Sequence, residues 1–140
     1  MGRSYWFECP KCGYRAKVSG GADRGLSFLV QTILCRECKE LYDAVTRWKV
    51  PDESGLLGSA GGLLKAKLPK ARPQITAPPA FHSALNRLPL AGAKRFKWLP
   101  FKLQCPVSAA HRVRSWNEPD HCPKCGVFLE KSTLPYRLWD

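Results

Sequence analysis

The sequence predicts a small, mainly β chain in which two short modules, each stabilised by a metal ion, flank a basic linker rich in proline and glycine. Three observations lead to this class. Of the seven cysteines in 140 residues, six form Cys-x-x-Cys pairs, and all seven fall into two groups separated by a long stretch with none. The segments beside them alternate or are β-rich, as half-buried strands do. The intervening stretch is interrupted by Pro and Gly too often for a long regular element.

Modules of about 40 to 50 residues bury too little apolar surface to fold unaided, so metals or disulfides must supply the deficit. Disulfides fit poorly. The opening MGRSYWFECP has no apolar signal core or cleavage pattern. An odd cysteine count leaves one thiol over, and Cys-x-x-Cys spacing suits a metal knuckle in a reducing compartment. A cytoplasmic location follows as the expectation. No run approaches the ~20 apolar residues of a membrane span, so no membrane partner is expected.

Residues 1–50 form the first expected module. Tyr5 to Glu8 and Tyr14 to Val18 flank the first knuckle as a short hairpin, followed by the turn-rich loop Ser19 to Gly25. Leu26 to Leu34 is a β-rich apolar run, and Leu41 to Val50 is a strand or a short helix, the alternation not deciding which. Residues 51–93 read as an extended or disordered linker, because a structureless stretch of that length does not belong inside a compact domain. Residues 94–140 form the second module, with Phe101 to Cys105 as a half-buried strand and Gly126 to Glu130 as another.

Cys9 and Cys12, followed after 22 residues by Cys35 and Cys38, supply four thiolates from two tight turns. Four thiolates make the closed tetrahedral site of structural zinc. In the second module Cys105, Cys122 and Cys125 give three ligands. His111 is the favoured fourth, since a six-residue loop can return it to the ion, and His121 is the alternative. Asn117 and Glu118 are candidates to orient the ring. The pentapeptide Cys-Pro-Lys-Cys-Gly occurs twice, at 9–13 and at 122–126, so one local turn is used twice.

These residues resemble the zinc-ribbon group, with rubredoxin-like knuckles. The resemblance covers about residues 4–50, and more loosely the second module with its three Cys and one His. It implies a β-hairpin scaffold carrying two Zn²⁺ per chain, and it implies no single function. Iron at the first site is the alternative metal. Against iron, the knuckle Cys35-Arg36-Glu37-Cys38 lacks the Pro and Gly of a rubredoxin knuckle.

No catalytic signature accompanies the ligands. His111 is followed by Arg112 and Val113, which is not the His-x-Glu of a zinc deaminase, and no HExxH, P-loop or nucleophile elbow occurs. Neither an enzymatic role nor a small-molecule substrate is expected.

Charge points to the partner. The formal net charge is +12 and it is uneven: +2 over residues 1–53, −1 over 118–140, and eleven basic residues without one acid from Ser54 to Asn117. Such a stretch attracts polyanions by releasing their counterions. The expected function is therefore non-catalytic binding of RNA, DNA or a ribonucleoprotein such as the ribosome. Lys65, Lys67, Lys70, Arg72, Lys94, Arg95 and Lys97 would contact phosphates, and Phe96 or Trp98 would stack on an unpaired base, unless those rings pack the module instead. The competing expectation is a zinc-ribbon adaptor within a larger protein assembly, with Leu26, Phe28, Trp48, Leu138 and Trp139 as anchors.

Overall fold

The computed structural model describes residues 1–52, 75–86 and 95–140. They form a mainly β structure of nine strands and one short helix among the described residues. Strands β1 (Gly2–Glu8) and β2 (Arg15–Val18) make the expected hairpin, with Trp6 opposite Lys17 and Glu8 opposite Arg15. Along the other edge of β1 run β8 (Glu130–Lys131) and β9 (Arg137–Trp139), both antiparallel to it. The N–H groups of Ser132 and Tyr136 donate to the carbonyls of Trp6 and Ser4 and bridge the gap between those two short strands.

The second sheet is built on β4 (Phe28–Cys35) and β5 (Glu40–Pro51), paired from Phe28↔Trp48 to Cys35↔Glu40 with one bulge after Leu29. The segment that sequence left between strand and helix is a strand. Its length comes from two partners, since β6 (Phe96–Pro100) takes its far edge over Arg47 to Pro51. The free edge of β4 is shared by β3 (Ala22–Arg24) and β7 (Val113–Ser115).

These pairings remove the boundary between the two expected modules. Segment 1–50 and segment 94–140 interlock in both sheets, because β1 pairs with β8 and β9 while β4 and β5 pair with β7 and β6. The physical reason is edge satisfaction. Each two-stranded hairpin would expose unpaired backbone on both sides, and the other segment supplies the missing strands.

Two apolar clusters fill the interior. One contains Phe7, Val18, Leu34, Leu41, Leu129 and Trp116 together with Cys9 and Cys122. Trp116 is wholly buried, meets Phe7 edge-on at 5.2 Å, and donates its indole N–H to the His121 carbonyl. The other cluster centres on Phe28, stacked between Trp139 at 4.7 Å and Trp48 at 6.0 Å. The indole of Trp139 lies where a side chain at Gly2 would point, which is why only glycine fits there.

Part of the expected linker is folded. Phe81–Leu85 form a helix, α1, whose Ala84 and Phe81 pack into the second cluster, and Ala80 bridges to Ala44 of β5. Phe101 to Cys105, expected as a strand, is irregular; the strand lies just before it, in β6. The expected strand Gly126 to Glu130 is reduced to its end, β8.

Candidate metal centres

Three tight turns present cysteines at hairpin ends or in the C-terminal segment, and they share one construction. The N–H of Gly13 donates to the Cys9 carbonyl, that of Lys39 to Cys35, and that of Gly126 to Cys122, each at 3.0 Å. Closing that turn requires positive φ at the donor residue. Gly13 (73°) and Gly126 (78°) adopt it freely, and Lys39 (53°) adopts it with a side chain. The knuckle without a glycine therefore folds as the other two do.

The pairing of these turns is not the one that sequence order suggested. Cys9 and Cys12 converge with Cys122 and Cys125, and Cys35 and Cys38 converge with Cys105 and His111. The expected sets, Cys9/Cys12/Cys35/Cys38 and Cys105/His111/Cys122/Cys125, exchange halves. The reason lies in the sheets: β1 pairs with the chain that follows Cys125, and β4 pairs with the chain that follows His111. All eight residues remain candidate ligands, and His111 rather than His121 stands in a ligand set.

The first set joins the two copies of the Cys-Pro-Lys-Cys-Gly turn. Cys9 Sγ lies 3.3 Å from Cys125 Sγ, and Cys12 Sγ lies 3.7 Å from Cys122 Sγ. The second set has Cys38 Sγ 3.7 Å from Cys105 Sγ, while His111 Nδ1 is 3.6 Å from Cys35 Sγ and 3.4 Å from Cys38 Sγ. In each set the donor atoms all lie within 4.8 Å of one another. A tetrahedral zinc with Zn–S near 2.3 Å and Zn–N near 2.0 Å separates sulfurs by about 3.8 Å and sulfur from nitrogen by about 3.5 Å. Bonded disulfide sulfurs are near 2.0 Å apart, and every cysteine here is a free thiol. The residues fit a tetrahedral metal, and the arrangement is zinc-ribbon-like.

Backbone N–H groups aim at the sulfurs, as thiolates require. Those of Cys38, Val107 and Lys124 lie 3.4 Å from the sulfurs of Cys35, Cys105 and Cys122. The Cys12 N–H chiefly holds the Cys9 thiol down to about 6. At Cys105 burial opposes ionisation, but the N–H groups of Ser108 and Val107 outweigh it and bring the thiol to about 7. Cys38 is pushed up to about 11, first by burial and then by the Cys35 sulfur. Each set thus combines one thiol shifted down with at least one shifted up, whose proton must leave when a cation binds.

The contacts made beside His111 do not involve the residues that sequence reasoning named to orient it. Asn117 accepts from Gln31, and Glu118 pairs with Lys131. Instead, Glu37 of the second knuckle accepts the backbone N–H of Arg112 at 2.8 Å and its Nε at 3.1 Å, while the Arg36 N–H donates to the Arg112 carbonyl. The knuckle therefore grips the residue beside His111. A basic residue next to a candidate ligand, facing an acid inside a Cys-x-x-Cys, was the available signal. His121 is engaged with Asp120 at 3.1 Å and with the Phe128 ring.

Of the expected nucleic-acid contacts, Lys65, Lys67, Lys70, Arg72 and Lys94 lie outside the described residues. Arg95, Phe96 and Lys97 are exposed and Trp98 is half-buried, the last three on β6. Of the expected adaptor anchors, Phe28, Trp48 and Trp139 belong to the core, and only Leu26 and Leu138 are exposed. Among the described residues, no helix is long and apolar enough to cross a membrane.

Comparison of the chain with protein-family models, with curated proteins and with solved structures gave no match.

Proposed function

We propose that this chain is a non-catalytic zinc protein that binds nucleic acid, or a ribonucleoprotein such as the ribosome, through its basic central segment. The observation that carries the metal half is that each set draws four donors from the chain itself, all within 4.8 Å. A four-donor set leaves a tetrahedral ion no position for a substrate, so the ion's contribution is to fix the fold. Soft thiolates in that geometry select zinc or iron, and the chain's basic balance sets it apart from acidic electron carriers of rubredoxin type. Bound zinc would hold the thiolates deprotonated and link segments distant in sequence.

The nucleic-acid half rests on charge. Between Ser54 and Asn117 there are eleven basic residues and no acid, and both ligand sets clamp the chain on either side of much of that stretch. Four thiolates with Zn²⁺ sum to −2 and three with a neutral His to −1, which leaves the loaded chain near +9 from its formal +12. Two measurements test the reading. Elemental analysis of the purified protein is expected to give two zinc per chain, and an iron-coloured protein would refute the metal assignment. A salt titration is expected to show binding of RNA or DNA that weakens steeply with ionic strength. No binding at low salt would sink the nucleic-acid half.

A further inference from the structure

The cross-strand register places side chains from distant parts of the sequence on one face of the second sheet. On β5, Trp48 and Val50 point into the core, so Arg47, Lys49 and Pro51 point outward. Their partners on β6 are Pro100, Trp98 and Phe96, and on the other side Arg47 is paired with Leu29, which is paired with Arg24. The outer face therefore carries three cations, Arg24, Arg47 and Lys49, beside two aromatic rings. No carboxylate stands in these rows. Asp52, just past the end of β5, continues the alternation of Trp48 and Val50, and Asp23 is in the row of Val30 with its oxygens taken by the N–H groups of Arg3 and Arg24. Phe96 is 38% exposed, although a ring with a free choice would be buried, and the Lys49 ammonium lies 4.7 Å from its centroid.

The outer face of the first sheet is different. There Arg15 pairs with Glu8, and Glu8 sits opposite Glu130, while the Lys131–Glu118 pair lies in the row of the buried Phe7. Carboxylates stand among the cations there, beside Lys17 over the Trp6 and Tyr136 rings, whereas the rows of Arg24, Arg47 and Lys49 hold none.

We propose that the outer face of β3–β6 is a stacking platform for single-stranded nucleic acid, with Phe96 and Trp98 meeting bases and Arg24, Arg47 and Lys49 meeting phosphates. This deepens the nucleic-acid reading above and rests on it. A sheet that presents exposed aromatics beside cations suits unpaired bases, which offer a π-face whatever their sequence. A duplex hides those faces and leaves its phosphates and groove edges. The basic segment leaves the sheet at the end of β5 and returns at the start of β6, next to Phe96, so one strand of nucleic acid can meet both. Lys97 is excluded from the platform, because its partner is Val50 on the core side.

The test uses the full zinc-loaded chain with oligo(U) and oligo(dT) of about 20 nucleotides and a duplex of equal length. Stacking on an aromatic is worth about 1–3 kcal/mol per base, so Phe96→Leu is expected to weaken single-strand binding about 5- to 150-fold while leaving duplex binding nearly unchanged. Phe96→Tyr should restore it. Arg47→Gln with Lys49→Gln, two surface changes that leave the core intact, should lower the single-strand salt slope by about 1.4. Unchanged binding and slope in both variants, with zinc content intact, would overturn the platform. If Lys65→Gln, Lys67→Gln, Lys70→Gln and Arg72→Gln together still abolished binding in that case, the broader nucleic-acid reading would survive alone. Absence of any binding by the parent chain would defeat both. A protein captured through this face in competition with oligo(U) would replace the nucleic acid with an adaptor role.

Discussion

Exchanging which ligands are removed in pairs distinguishes the interlocked metal arrangement from the sequential one. In the structure Cys9 and Cys122 belong to one set, so the double change Cys9→Ala/Cys122→Ala strips two donors from a single centre and leaves Cys35, Cys38, Cys105 and His111 intact. Cys9→Ala/Cys35→Ala instead removes one donor from each centre. A structural zinc site contributes about 10–16 kcal/mol, as much as or more than the whole stability of a typical small domain, so a centre that loses two thiolates does not survive as a folded unit. The first double variant is therefore expected to keep about one zinc per chain and the protection of the β4–β5 ladder, while β1 and β2 lose theirs. The second is expected to weaken both centres together. Metal content by elemental mass spectrometry reads the count, and cobalt substitution reads the donor set, since a three-sulfur, one-nitrogen site differs in its charge-transfer bands from a four-sulfur one. Retention of one zinc by Cys9→Ala/Cys35→Ala, with loss of both by Cys9→Ala/Cys122→Ala, would refute the pairing.

Two further outcomes follow from the interior. Trp116 is wholly buried against Phe7, so Trp116→Ala is expected to cost the zinc-loaded protein about 3–5 kcal/mol in urea unfolding; a cost below about 1 kcal/mol would show that this ring does not join the sheets. Asp43 is buried among the N–H and hydroxyl of Ser19 and the hydroxyl of Thr32, and burial raises its carboxyl from 3.8 to about 6. Because the folded state holds that proton more tightly than the unfolded one, Asp43 contributes stability that is present below about pH 4 and lost as pH rises through about 6, about 3 kcal/mol in all. Protonation of the cysteine ligands affects wild type and Asp43→Asn alike, so the stability difference between them isolates this term. It should shift against wild type between pH 4 and 7, and a flat difference would refute the buried-carboxyl account.

The strands were legible because their signals are local. The alternation at Tyr14 to Val18 and the apolar run at Leu26 to Leu34 became β2 and β4 with small shifts at their ends. The eight ligand candidates were legible for the same reason, since a Cys-x-x-Cys turn is formed by its own backbone. Partnership was not legible, because it is set by sheet edges far apart in sequence. Loop closure offers little guidance: linking Cys12 to Cys122 rather than to Cys35 costs only about 1.4 kcal/mol more, as closure entropy grows with the logarithm of length. A few backbone bonds along β1 outweigh that. α1 was missed because five residues between prolines carry no periodicity, and it is held by Phe81 and Ala84 in the core.

The pairing that the sheets impose brings the two copies of the repeated pentapeptide together. The two turns share one backbone closure, and their sulfurs meet crosswise, Cys9 with Cys125 and Cys12 with Cys122, so Cys9–Gly13 and Cys122–Gly126 build a candidate centre of near two-fold character. The odd turn, Cys35–Lys39, is left with the odd ligands Cys105 and His111. Beside that second set Glu37 holds Arg112. The two centres are nested in the chain: one joins residues 9–12 to 122–125, and the other, inside it, joins 35–38 to 105–111. Within the inner one lies most of the acid-free basic segment, which leaves from β5 and returns to β6. Loss of the inner metal would therefore loosen the anchorage of the basic segment directly, whereas loss of the outer one would act on it through the first sheet. Metal binding at the inner set and the placement of the charge would be linked by that nesting.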